Sequence, residues 1–166
     1  MSPHLEDGEG ERRISMGNLQ IARYFAILDR RSRSYVLEAC RPLKITYAEY
    51  VLLLRIFDCE GASQEELARA LHADKSAVAR VVKLLEAKGF ICREKDAVDR
   101  RVKRIRLTEY GRMQHGFLLS VMDCWVDWLA EVLPPEELDV VTRGFRLLAE
   151  RSTNADFREL VRKTEH

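Results

Sequence analysis

Between Ser63 and Thr108 the chain reads SQEELARALHADKSAVARVVKLLEAKGFICREKDAVDRRVKRIRLT, a run whose local signals leave little freedom in the order of its elements. Asp74 can cap a helix, because its carboxylate accepts the free N–H groups of a first turn, and Gly89 can take the left-handed conformation that ends one. The spacing predicts about four turns of helix between them. At 100° per residue, Val78, Val81, Val82 and Leu85 share one stripe, which is the expected core face. Ser76, Arg80, Lys83 and Ala87 fall opposite, with Ala79 on the flank and Lys75 on the first turn. This outer face is small or basic and has no acid at its centre. Such a face suits a helix lying in a major groove, where short side chains permit close approach and Arg or Lys meets phosphates and guanine edges.

The preceding segment supports the same reading. Ser63-x-x-Glu66 is a capping box, and Leu67, Ala70 and Leu71 supply an apolar side to pack on Val78 and Val82. Ala68 permits close helix contact, and His72-Ala73 leaves only the short turn of a helix-turn-helix. After Gly89, Phe90 to Cys92 read as a first strand, and Val102, Ile105 and Leu107 as a second that carries Lys103, Arg104 and Arg106. Asp96 to Arg101 form the turn between them. From Lys75 to Arg106 there are 11 basic against 4 acidic residues, net +7, which leaves 17 against 23, net −6, for the rest of a chain whose overall charge is +1. One-sided positive charge is the electrostatic footprint of a polyanion-binding surface. The plainer alternative is a solvated hairpin that happens to be basic.

DKSAVARVVKLLEAKGFI followed by DRRVKRIRLTEYG resembles the MarR (multiple antibiotic resistance regulator) family of bacterial winged-helix transcription factors, most strongly over Gln64 to Arg112. The resemblance implies a homodimer on a palindromic operator, often released by a small ligand or by thiol oxidation; repression is expected of such a regulator, with activation left open. It also implies that a wing-tip arginine, here Arg101, enters the minor groove, steadied by Asp99. Arg100, between them, either contacts phosphate or pairs with Asp96. Independently of any family, a narrow A·T-rich minor groove concentrates negative potential and favours an inserted guanidinium. The expected DNA contacts are therefore Lys75, Ser76, Ala79, Arg80, Lys83, Asp99, Arg100, Arg101 and Lys103.

Helices are expected on both sides of the winged segment. From Leu19 to about Cys40, Ile21, Tyr24, Phe25, Leu28, Tyr35, Val36 and Ala39 recur at helical intervals, and Arg41-Pro42 ends the run. Thr46-x-x-Glu49 opens a helix over Tyr47 to Glu60, whose apolar residues cover too much of its circumference for a surface position. Thr108 opens a long helix that runs to Pro134-Pro135, then Glu136 to Glu150 continues, with a last turn around Phe157 to Val161. These end helices carry more apolar surface than a small winged lobe can cover, so self-association is the economical explanation. The expected fold is mainly α: a loose arm over 1–16, a helical dimerisation lobe from 17–42 and 112–166, and a winged helix-turn-helix DNA-binding lobe over 43–111.

With 46% apolar residues the chain is globular. It has no run of about 18 apolar residues, and MSPHLEDGEGERR lacks the apolar core of a secretory signal, so a cytoplasmic location and no membrane partner are expected. Cys40, Cys59, Cys92 and Cys124 form no C-x-x-C, and the four histidines have no ligand spacing, so neither metal nor other cofactor is expected. No Gly-rich phosphate loop, G-x-S-x-G or paired carboxylate points to an enzyme. Peroxide-sensing members of the resembled family place a cysteine near the start of the first helix, and none precedes Cys40 here. Cys40, close to Arg41 and Lys44, is either a thiol sensor or a packing residue. For an aromatic effector, Arg23, Tyr24, Tyr35, Tyr50 and Trp125 are the candidate walls, against the alternative that each is an ordinary core or dimer-contact residue. Two functional alternatives stand beside a DNA-binding regulator: a winged-helix module that binds protein, and a thiol-based redox-sensing regulator.

Overall fold

Two capping boxes and one aspartate cap set the frame. Thr46 and Glu49 exchange side-chain and backbone hydrogen bonds at the start of α2 (Tyr47–Asp58), and Ser63 and Glu66 do so at the start of α3 (Gln64–Ala70). Asp74 accepts the Ser76 N–H at 2.5 Å to open α4 (Lys75–Ala87). Gly89, at φ +79°, lets the chain leave α4 without the penalty a side chain would meet there. The computed structural model describes residues 7–164, with side chains from residue 17 onward. It also contains α1 (Asp7–Ala39), a 3-10 turn at Arg41–Leu43, strands β1 (Ile91–Lys95) and β2 (Lys103–Leu107), and α5 (Glu109–Met113), α6 (His115–Ala130), α7 (Pro135–Thr153) and α8 (Phe157–Arg162).

The strands pair antiparallel, with Ile91 opposite Leu107 and Lys95 opposite Lys103. A third backbone segment joins them: Gly61 N–H donates to the Ile105 carbonyl at 2.8 Å, and Ile105 N–H donates to Ala62 at 3.0 Å. The wing is thereby stitched to the loop before α3. Together these elements make the winged helix-turn-helix expected from the sequence.

At the centre lies α2, whose Tyr50, Leu52, Leu53 and Ile56 are all buried. They meet Leu67 and Ala68 of α3, Val78, Val82 and Leu85 of α4, Ile105 and Leu107 of β2, and Leu118 and Val121 of α6. Each large apolar side chain so buried contributes about 1.5–3 kcal/mol. Tyr50 fills the joint between winged segment and α6; its hydroxyl donates to the Leu118 carbonyl at 3.0 Å, and burial pushes its pKa up to about 12.

Two expectations need correction. The first helix begins at Asp7, inside the stretch expected to be a loose arm; it runs through Gly8 and Gly10, and no proline lies in residues 7–16 to stop it. The rest of that arm, residues 1–6, lies outside the described residues. The helix expected without interruption after Thr108 is broken at Gln114 into α5 and α6, because the short first segment is tied to the wing. Thr108 caps α5 by accepting the Gly111 N–H, and its hydroxyl donates to the Phe90 carbonyl.

No residue of α7 or α8 is buried, and residues 18–27 of α1 are exposed as well. Leu19, Tyr24, Val140, Leu147, Leu148 and Phe157 are all at least half exposed. Phe25 and Phe145, with ring centroids 5.9 Å apart, bring α1 and α7 together.

Candidate nucleic-acid interface

The buried stripe of α4 decides what its other side presents. With Val78, Val82 and Leu85 facing the core, Ser76, Arg80 and Lys83 are exposed and Ala79 is half-buried. Downstream, Lys95, Asp99, Arg100, Arg101 and Lys103 are exposed around the wing.

Ion pairing sorts the cations of this segment into two groups. Five are engaged: Lys75 with Glu65 at 2.7 Å, Lys88 with Glu49 at 2.6 Å, Arg93 with Glu86, Arg104 with Asp96 and Glu66, and Arg106 with Glu94 at 3.5 Å. Among the described residues, Arg80, Lys83, Lys95, Arg100, Arg101 and Lys103 have no carboxylate partner within 4 Å. Lys75 belongs to the first group, but exposed ion pairs are worth little, so exchanging Glu65 for another anion costs little. Lys95 and Lys103 stand directly opposite one another across the hairpin. Like charges so placed are unfavourable until an anion lies between them.

The wing tip is built differently from expectation. Asp96 is bound to Arg104 at 2.5 Å, not to Arg100, and also accepts the Val98 and Asp99 N–H groups at 2.8 and 2.9 Å. Asp99 steadies Arg101 through the backbone, accepting its N–H at 2.9 Å, which leaves the guanidinium free. Arg104 in turn reaches Glu66 at 3.0 Å, so the wing turn is braced against the start of α3. The sequence reading passed over this brace because nothing local marks which of several neighbouring cations will turn inward.

The Asp99 N–H, the Arg104 guanidinium and the Val98 N–H together pull the Asp96 carboxyl down to about 2. A carboxyl whose folded-state pKa is depressed supports the fold fully above its unfolded value, about 3.9, and loses that support as pH falls towards the folded value. Acid titration followed by NMR should show the Asp96 carboxyl and the Val98 and Asp99 amides moving together near pH 2. An Asp96 that titrates near its unfolded value, with the wing amides unmoved, would remove the brace.

Among the described residues, the five expected ligand residues are spread over different parts of the fold. Tyr35 and Trp125 stack at 5.1 Å, and Trp125 donates to the Ser32 hydroxyl at 2.8 Å. Tyr50 is buried in the core, while Arg23 and Tyr24 are exposed on α1, with Tyr24 roughly 16 Å along the helix axis from Tyr35. A cavity of about 250 Å³ opens between α1, α2 and α4, walled by Arg33, Tyr47, Ala48, Val51, Ala77 and Val81. The Arg33 guanidinium lies over the Tyr47 ring, 4.5 Å from its centroid, and is held by Asp29 one turn earlier. An Arg four residues after an Asp was the available signal; that it meets a tyrosine from another helix is a tertiary fact.

Cys40 is buried, and burial pushes its thiol pKa up, the reverse of what a peroxide-reactive thiolate requires. Among the described residues, no group of three or more His, Cys, Asp or Glu could hold a metal ion, and no helix is long and apolar enough to cross a membrane.

Residues 45–103 match the model of the MarR family. The uncharacterized HTH-type transcriptional regulator YybA of Bacillus subtilis (strain 168) is 33% identical over 78 residues, 47% of this chain and 52% of that protein. The chain spans about half the length, or less, of the curated relatives it matches. A crystal structure of MarR superimposes with a TM-score of 0.72 at 31% identity, over 81% of this chain and 98% of the other. The crystal structure of CouR from Rhodococcus jostii RHA1 bound to p-coumaroyl-CoA does so with a TM-score of 0.70 at 25% identity, over 82% and 94%.

Proposed function

Because this chain belongs to the MarR family, we propose that it is a transcriptional repressor that binds a palindromic operator in double-stranded DNA as a homodimer. The observation that carries this reading is the sorting of cations: six of them, on the outer face of α4 and on the wing, lack a protein partner among the described residues, while their neighbours are used up internally. In this reading Ser76, Ala79, Arg80 and Lys83 lie in the major groove with Lys75 on the flanking phosphate. Arg101 enters the minor groove, its backbone fixed by Asp99, and Arg100 and Lys103 meet the sugar-phosphate chain beside it.

Homodimerisation is supported by the apolar residues left open on α1, α7 and α8, which a second copy would cover. A two-fold pair then presents two copies of α4 to one face of the duplex, about 34 Å apart. Light scattering at micromolar concentration should give the mass of two chains, and a duplex selected from a random pool should carry an inverted repeat bound by two chains. A monomeric mass, or selected duplexes without symmetry, would contradict the dimeric reading.

We further propose that a small aromatic acid releases the protein from DNA by filling the cavity between Arg33 and Tyr47. The cavity offers an aromatic wall with a cation above it and touches α4 at Ala77 and Val81. A structural neighbour, CouR, was crystallised with p-coumaroyl-CoA, an aromatic acyl compound.

A further inference from the structure

Glu49 is the one charged side chain buried to completion among the described residues. A lone carboxylate in that position would be costly, and its surroundings explain how it is tolerated. One oxygen accepts the Thr46 N–H at 2.7 Å and the Thr46 hydroxyl at 2.8 Å; the other accepts the Lys88 ammonium at 2.6 Å. Lys88 also donates to the Lys44 carbonyl at 2.7 Å. Lys44 closes the 3-10 turn in the left-handed region, at φ 54°. Three separate pieces of chain thus meet at one ion pair: the turn before α2, the first turn of α2, and the residue that ends α4.

The placement is specific. Lys88 follows Ala87 and precedes Gly89, so it sits where α4 stops and the chain turns towards β1. The opposite end of α4 is opened by the exposed Asp74 cap. Hydrophobic packing of Val78, Val82 and Leu85 resists separation of α4 from the core but is non-directional, and so resists rotation or sliding less. The Glu49–Lys88 pair, with its carboxylate fully buried and its lysine side chain 31% exposed, has the opposite character: its hydrogen bonds are directional, so it adds geometric definition more than net stability.

We propose that the Glu49–Lys88 pair is the positioning latch of the DNA-reading helix, fixing the angle at which α4 presents Arg80 and Lys83 to the groove. This rests on the regulatory reading above, and the test separates the two. Full-length wild type and the double variant Glu49→Gln/Lys88→Met are compared by thermal melting, and by affinity for the selected operator and for a scrambled duplex of equal composition. Removing both charges leaves no unpaired buried ion, so the double variant should melt close to wild type. It should bind scrambled duplex as wild type does, since the exposed cations remain. Its preference for operator over scrambled duplex should fall about tenfold, the loss of one good base contact.

A double variant with normal melting and undiminished preference overturns the latch. So does one that weakens on both duplexes equally, since that signals general damage and no change of angle. If the double variant melts far below wild type, Glu49→Gln alone carries the test by the same ratio, because it fills the same space and keeps one acceptor. A retained preference there overturns the latch, and a reduced one supports it. Wild type that binds neither duplex would instead overturn the regulatory reading, and the latch with it.

Discussion

Gly111→Ala is expected to lower the stability of the protein by about 3 kcal/mol, or roughly 6–12 °C in melting temperature for a domain of this size. Gly111 is buried in α5, and a Cβ placed on it would lie well inside contact distance of the Phe90 backbone carbonyl oxygen. No rotamer relieves the clash, because the position of a Cβ is fixed by its own backbone and the atom it meets is backbone too. The same carbonyl accepts the Thr108 N–H at 3.0 Å and the Thr108 hydroxyl at 3.1 Å, so moving it away breaks the bonds that dock α5 on the wing. Through α5 and α6 the winged segment is joined to the end helices, and the damage should therefore spread to the whole melt. A variant that unfolds within a degree or two of wild type would show that this junction yields easily and that the close approach has no structural role.

Replacing Arg80, Lys83 and Arg101 together by Ala should reduce operator affinity roughly 100-fold or more, from lost phosphate and base contacts in each protomer. All three side chains are exposed and have no carboxylate partner among the described residues, so their removal strands no buried charge and should leave the melting temperature unchanged. Replacing the paired Arg93 and Arg106 instead removes as much charge per residue but should weaken binding far less, since these cations face Glu86 and Glu94. Equal losses from the two sets, measured by equilibrium binding, would mean that net charge alone governs the interaction.

The contrast between those sets marks where the sequence stopped being informative. Asp74, Gly89, the two capping boxes and the Val78/Val82/Leu85 stripe act within a few residues of one another, and each was readable because its physics is local. The basic charge of the hairpin was equally plain. Which cations are spent internally was not, because Lys88 finds Glu49 across 39 residues and Arg104 finds Glu66 across 38. The cavity escaped for the same reason: Arg33 and Tyr47 belong to different helices, and only their packing brings the guanidinium over the ring. The break at Gln114 and the helical start at Asp7 were missed where the local pattern was ambiguous: tertiary attachment decided the first, and the glycines of the second, without a proline beside them, do not stop a helix.

The salt dependence of operator binding tests the central claim most directly. Between about 50 and 200 mM monovalent salt, log K should fall linearly with log salt for the wild type, with a slope of about −0.9 for each phosphate neutralised. In the Arg80, Lys83 and Arg101 triple variant the slope should flatten, by about five units if all six lost cations of the dimer touched phosphate. A wild-type slope near zero, or the same slope in both proteins, would show that the unpaired cations of α4 and the wing are not what meets the DNA.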